Sequence, residues 1–144
     1  MTEPIKQRLT EAMQSDNAMH RYWSLMACAA MGEKAKTLQK AASALLEDPQ
    51  EIVRIRAAEF LGIIHAANPQ TTLVNVVNTT QNPIVATEAL NAVVLFRDFY
   101  SGQYPVSRQD FHPVVNGADM DDRLNYINGN PYPPKKKRAA AKTK

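Results

Sequence analysis

The sequence predicts an all-α chain, a short α-solenoid of about three helix pairs with an irregular C-terminal cap. Three observations predict it. Val53, Ala57, Phe60, Leu61 and Ile64 fall at the i, i+4, i+7, i+8, i+11 spacing of one helix face. The same slots recur 32 residues later as Val85, Ala89, Ala92, Val93 and Phe96, and 33 residues earlier as His20, Ser24, Ala27, Cys28 and Met31. A second family of columns precedes each copy at a step of 32: Leu9/Ala41/Leu73, Ala12/Ala44/Val76 and Met13/Leu45/Val77. A helix pair repeated at fixed period cannot bury its apolar stripe alone, so consecutive pairs must stack.

The elements follow in order. Leu9, Ala12 and Met13 mark a helix near 4–14, and the first copy of the longer column marks one near 18–31. Gly32 stands where that helix should end in a left-handed residue. Ala41, Ala44 and Leu45 mark a helix near 34–46. Three Asx-Pro pairs, Asp48-Pro49, Asn68-Pro69 and Asn82-Pro83, open the helices expected near 50–66, 70–79 and 83–98. The Asx oxygen can accept from free N–H groups of the first turn, and proline there loses no hydrogen bond.

Within this frame some columns carry specific chemistry. Ser24, Ala57 and Ala89 are small in every copy, which lets helices approach closely. Arg21 and Arg54 share a column that Ala86 breaks. Such an arginine reaches along a turn to an acidic or carbonyl partner, and Asp16 and Asp48, 32 apart, are the expected partners. Beyond Phe99 the repeat stops. Residues 99–134 are expected to form the cap, with a capping box at Ser107–Asp110 and a short helix over Asp119–Ile127 that ends at Asn128-Gly129-Asn130-Pro131. Four of the five tyrosines lie there and supply large buried area with one polar end. Residues 135–144 hold too few apolar groups to fold and are expected to be a disordered basic tail.

The charge divides in the same way. Six of the 17 basic residues lie beyond Pro134, leaving 11 against 14 acidic residues, so the body carries −3 while the chain carries +3. That balance disfavours a nucleic-acid surface except through the tail, Lys135, Lys136, Lys137 and Arg138. The tail resembles a nuclear-localisation signal, although a solubilising end is the plainer reading. No apolar run approaches the roughly 20 residues of a membrane span, so no membrane partner is expected. The N-terminus lacks the basic and apolar regions of a signal peptide. A cytoplasmic location is the default expectation.

The pattern Asp48-Pro49, Val53-Arg54, then small and apolar residues to Leu61-Gly62 resembles HEAT-like repeats. The period of 32–33 is shorter than the about 40–47 of long HEAT units. It is closer to ankyrin and TPR periods, but the signatures of both are absent, which leaves the compact HEAT variety. A further resemblance rests on Arg21-Tyr22-Trp23-Ser24-Leu25-Met26-Ala27, the Val53–Gly62 repeat, and Asn82-Pro83 followed by Glu88-Ala89-Leu90-Asn91-Ala92. These runs resemble the C-terminal HEAT-like appendage of certain bacterial sulfatases, with Leu95–Tyr100 and the Leu124–Tyr132 ending compatible. The resemblance implies a same-chain or neighbouring catalytic domain as protein partner. It also implies a periplasmic or extracellular location if the exported enzyme ends in this piece.

The resemblance implies no catalysis in this chain. The Cys/Ser-x-Pro-x-Arg motif of those enzymes is missing, and the only cysteine, Cys28, is followed by Ala29-Ala30-Met31 in a core column. His20, His65 and His112 have no metal-ligand spacing, and Asp119, Asp121 and Asp122 read as surface residues opening a helix. No catalytic, metal or cofactor residue is expected. Tyr22 and Trp23 form a candidate interaction patch, against a plainer packing role. The expected function is a non-catalytic scaffold that braces or docks a partner. The rivals are a free-standing peptide-binding adaptor and a HEAT-like nucleic-acid binder, which the acidic body disfavours.

Overall fold

The computed structural model describes residues 1–100 and 102–132. The chain is all-helical there, with α1 Glu3–Met13, α2 Ala18–Met31, α3 Gln39–Ala44, α4 Glu51–Ile63, α5 Pro69–Thr79, α6 Pro83–Phe99 and α7 Ala118–Ile127. Helices α2, α4 and α6 pack side by side as one layer, while α1, the α3 segment and α5 form the other. The architecture is the short solenoid of three pairs that the columns predict.

Helix starts obey local chemistry. Asn68 and Asn82 are true N-caps, their side chains accepting from Gln70 N–H at 3.0 Å and Ile84 N–H at 2.9 Å. Asn17 caps α2 in the same way through Met19 N–H. Asp48 departs from the expectation. It accepts from Gln50 N–H at 2.8 Å, but α4 begins only at Glu51, so Asp48 closes a turn ahead of the helix. Its carboxylate is drawn instead to Arg21, as described below.

The stretch expected as one helix over 34–46 is broken up. A 3₁₀ run over Gly32–Leu38 leads into α3, and a second 3₁₀ turn over Leu45–Glu47 follows it. Packing explains the change. Ala35 and Leu38 are both buried and three residues apart, and a 3₁₀ turn stacks i and i+3 on one line. Gly32 takes φ 55°, the left-handed region that lets the chain leave α2.

Helix α4 is the keystone. Val53, Ala57, Phe60, Leu61 and Ile64 face a core built with α1, α2 and the 35–45 segment. Ile55 and Ala58 face a second core with α5, α6 and α7. A helix buried on two sides must be apolar around much of its circumference, and this one is. It ends at Ile63, short of the expected 66. His65 adopts φ 54°, while Ala66 N–H bonds back to the Leu61 carbonyl at 2.8 Å, a Schellman-type closure.

Phe111, Met120, Leu124 and Ile127 are buried in the same core as α5 and α6. Asp110 accepts from Ser107 N–H at 2.7 Å and forms a single 3₁₀ turn over Arg108–Asp110. Tyr104 donates its hydroxyl to the Gly62 carbonyl at 2.9 Å and meets His65 Nδ1 at 3.2 Å. These contacts tie the segment after α6 to the end of α4. His20, placed by its column on the core face, is exposed, and its Nδ1 meets Ser15 Oγ at 3.0 Å.

Candidate functional site

The arginine column builds a buried clamp between the first two pairs. Arg21 grips Asp48 with two parallel bonds, Nε to Oδ2 at 2.6 Å and a terminal nitrogen to Oδ1 at 3.0 Å. The Arg21 side chain is 11% exposed and that of Asp48 3%. The same guanidinium donates to the Ser15 and Asp16 carbonyls, so Asp16 bonds through its backbone while its carboxylate adds only its charge. The hydrogen bond to Asp48 raises the Arg21 pKa above its ordinary value. Arg54 donates to the Asp48 carbonyl at 2.9 Å and lies 3.6 Å from Glu51. The group ties the first two pairs together, and the Arg21–Asp48 pair at its centre is buried. Ser24, Ala57 and Ala89 are all buried, with Ser24 Oγ donating to the Arg21 carbonyl at 2.7 Å.

A different group of residues faces outward on the α2–α4–α6 layer. Trp23 is 60% exposed, against the plainer packing role that helix spacing suggests. It stands edge-on to Tyr22, with ring centroids 5.1 Å apart and planes at 89°. Tyr22 in turn lies under the Arg56 guanidinium, 5.3 Å from ring centroid to Cζ. Arg56 then donates to Glu59 at 2.6 Å and across to Glu88 on α6 at 2.8 Å. A chain of contacts therefore runs over three helices: Trp23, Tyr22, Arg56, then Glu59 and Glu88.

Its electrostatics are uneven. Burial alone would lower the Arg56 pKa, but the bond and charge of Glu59 hold it above its ordinary value. Burial raises the Glu59 carboxyl, Arg56 opposes that, and the nearby Glu88 charge adds to the rise. Two carboxylates share one guanidinium, and the group is one negative charge in excess. Arg56 Nε is buried without an acceptor, a cost that the Tyr22 ring partly offsets.

Slot equivalence gives the face its order. Trp23, Arg56 and Glu88 occupy one repeat slot, and Met19, Ile52 and Ile84 occupy the slot one turn earlier. Met19 is 50% and Ile84 73% exposed. Beside Ile84 and Glu88 opens a cleft of about 320 Å³, closed on its far side by Gly117, Ala118 and Asp119 at the start of α7.

Sequence reasoning singles out Tyr22 and Trp23 but not Arg56, Glu59 or Glu88. A signal was present: Arg56 and Glu88 lie 32 apart, one repeat, so side chains of opposite charge must neighbour each other across adjacent helices. Lys135, Lys136, Lys137 and Arg138 lie outside the described residues. Among the described residues no group of three or more His, Cys, Asp or Glu side chains is placed to hold a metal ion. No helix among them is long and apolar enough to cross a membrane.

No curated protein and no solved structure matches the chain. The family of HEAT repeats matches residues 5–93, well over half the length and all but the last turns of the three helix pairs. That match, joined to the stacked pairs of the fold, places the chain in the HEAT-repeat family, whose members generally serve as protein-interaction scaffolds.

Proposed function

We propose that the chain is a non-catalytic scaffold that docks a protein partner against the outer face of the α2–α4–α6 layer. The observation that carries this reading is the exposure of Met19, Trp23 and Ile84 in two adjacent repeat slots of one face, around a fixed ion cluster. Solvent-exposed large apolar side chains gathered on one face mark interaction surfaces. Backed edge-on by Tyr22, which itself lies under Arg56, Trp23 is oriented before any partner arrives, which lowers the ordering cost of binding. Docking of this kind buries about 600–1,500 Å².

The finer reading takes the partner as a sulfatase-type catalytic domain, on the same or a neighbouring chain. Its support is the sequence resemblance in the Arg21–Ala27, Val53–Gly62 and Asn82–Ala92 segments. Residues 99–134 act in this reading as the cap of the last pair, supported by the burial of Phe111, Met120, Leu124 and Ile127. The solenoid supplies surface and rigidity, and the chemistry belongs to the partner.

The test is titration of the chain with a sulfatase-type catalytic domain, followed by calorimetry. Wild-type binding that Trp23→Ala and Ile84→Ser both weaken, with unfolding midpoints near wild type, fits the proposal. Binding indifferent to both substitutions refutes this face. No binding to the catalytic domain refutes the sulfatase reading.

A further inference from the structure

We infer that the segment docked on this face is apolar at one end and basic at the other: an apolar side chain meets Met19 and Trp23, and a lysine or arginine enters the cleft beside Glu88. This deepens the docking role proposed above and rests on it. The two ends of the face differ in chemistry. At the α2 end the exposed groups are Met19 and Trp23, with no carboxylate in the contact chain until Arg56 intervenes. At the α6 end the cleft is lined by Pro83, Ile84, Thr87, Ala118, Glu88 and Asp119, with Gly117 behind, and the lining holds two acidic residues and no basic one.

The Glu88 carboxylate is 37% exposed and already bonds Arg56, which it shares with Glu59. One further cation would bring the group of Arg56, Glu59 and Glu88 to neutrality. The apolar walls suit the aliphatic stem of lysine or arginine, whose charged head can then reach the carboxylates. Arg56 cannot fill that role, because it is fixed between Tyr22 and its two partners.

Spacing sets the length of the partner segment. Adjacent packed helices lie about 8–10 Å apart, so the α2 and α6 ends are roughly 16–20 Å from each other. A partner helix covers that in about 11–13 residues, and an extended strand in about 5–6. The body carries −3, so unspecific attraction to a basic ligand would be spread over its surface, and the loss of binding in single carboxylate variants of the cleft separates the two.

The test uses two synthetic amphipathic helical peptides of one pattern, a leucine–lysine peptide and its leucine–glutamate counterpart, each fluorescein-labelled. Trp23 is the only tryptophan in the chain, so its emission reports burial at one end of the face. Expected is binding of the leucine–lysine peptide with a blue shift of Trp23 emission, and weaker or no binding of the leucine–glutamate peptide. Glu88→Gln and Asp119→Asn should each weaken that binding by about fivefold, the effect of an ion pair worth about 1 kcal/mol. Asp119 stands outside the Arg56 cluster, so its variant tests the cleft even if Glu88→Gln disturbs the fold. Trp23→Ala should weaken binding as read by peptide anisotropy.

Equal binding of both peptides, or affinity unchanged in both carboxylate variants, overturns the inference. A peptide of residues 133–144 that binds more tightly than the leucine–lysine peptide, and is unaffected by Trp23→Ala, would make the chain's own tail the occupant and overturn it. A Trp23 blue shift that grows with protein concentration alone would make a second copy the occupant and also overturn it. If a catalytic domain binds through Trp23 and Ile84 while the leucine–lysine peptide does not bind, the docking role survives and the charge assignment fails.

Discussion

Gly62→Ala offers a sharp test of how tightly α4, α5 and α6 meet. Gly62 is buried in the last turn of α4, where alanine would ordinarily add about 1 kcal/mol of helix propensity. Here the added Cβ would stand 2.6 Å from Phe96 Cζ, 2.8 Å from Phe96 Cε1 and 2.7 Å from Pro69 Cγ. Comfortable carbon contacts are about 3.5–4.0 Å, so each falls short by roughly 1 Å. Neither neighbour can step aside. Pro69 is a rigid ring in the first turn of α5, and Phe96 is fully buried against Tyr100 and Tyr104, with ring centroids at 5.1 and 5.5 Å. The helices must separate, which also pulls the Gly62 carbonyl from the Tyr104 hydroxyl.

Overpacking of this kind costs about 1–3 kcal/mol, and it outweighs the propensity gain to leave a net loss of about 1–2 kcal/mol. The assay is urea unfolding followed by far-ultraviolet circular dichroism, with the variant compared at unchanged m-value. Phe96→Leu removes the end of the ring that collides. In the double variant Gly62→Ala/Phe96→Leu, the two losses should therefore fall short of additivity by about 1 kcal/mol. A Gly62→Ala protein as stable as wild type would falsify the packing argument. So would losses additive within about 0.5 kcal/mol.

Asp48→Ala should cost about 3 kcal/mol, the low end for a broken buried pair, because it leaves Arg21 with only the Ser15 and Asp16 carbonyls and takes the acceptor from the Gln50 N–H, and the urea midpoint reads it directly. Cys28 is fully buried, and burial pushes its thiol up to about 11, so a disulfide reagent at mildly alkaline pH should label one thiol per chain only after unfolding. Labelling of the native protein at the unfolded rate would contradict that placement. Glu59 has a folded pKa above its ordinary 4.5, so just above that value the folded chain holds a proton that the unfolded chain has released. Its contribution to stability therefore falls as pH rises through that window, and Glu59→Gln should remove the fall from the measured pH–stability difference.

The sequence makes the repeat legible because burial constrains size and polarity at fixed slots. Val53, Ala57, Phe60, Leu61 and Ile64 are all buried, and so are their later counterparts Ala89, Ala92, Val93 and Phe96. Asn68-Pro69 and Asn82-Pro83 mark helix starts because capping is a local event. Asp48-Pro49 marks one less well, since a long-range partner, Arg21, competes for the same carboxylate. The break-up of 32–47 is invisible to periodicity, because Ala35 and Leu38 fit both a 3.6-residue and a three-residue period. The outward face is the hardest to read. Its slots hold Trp23, Arg56 and Glu88, three chemistries with no shared size or polarity, and a search for repeated character passes over them. Only the side-by-side packing of α2, α4 and α6 turns that dissimilar column into a contact chain.

The two ends of the layer are also finished differently, and this bears on where a partner sits. At the α6 end, α7 lies against the last pair and adds Met120, Leu124 and Ile127 to its core. Arg123 reinforces the contact by donating to Asn91, and Tyr126 donates to Asp98 at 3.1 Å. What remains open there is a cleft with apolar walls and two carboxylates, Glu88 and Asp119. At the α2 end no described element covers the first pair in this way, and Ile5, Met19 and Trp23 stay exposed. A solenoid pair cannot stack on water without leaving apolar area behind. Docking therefore gains apolar area at both ends, from Met19 and Trp23 on α2 and from Ile84 on α6, while charge recognition is concentrated at the α6 end. In the proposed docking role, charge selection would then belong to the last pair and be joined to the apolar first pair through Arg56, which meets both Tyr22 and Glu88.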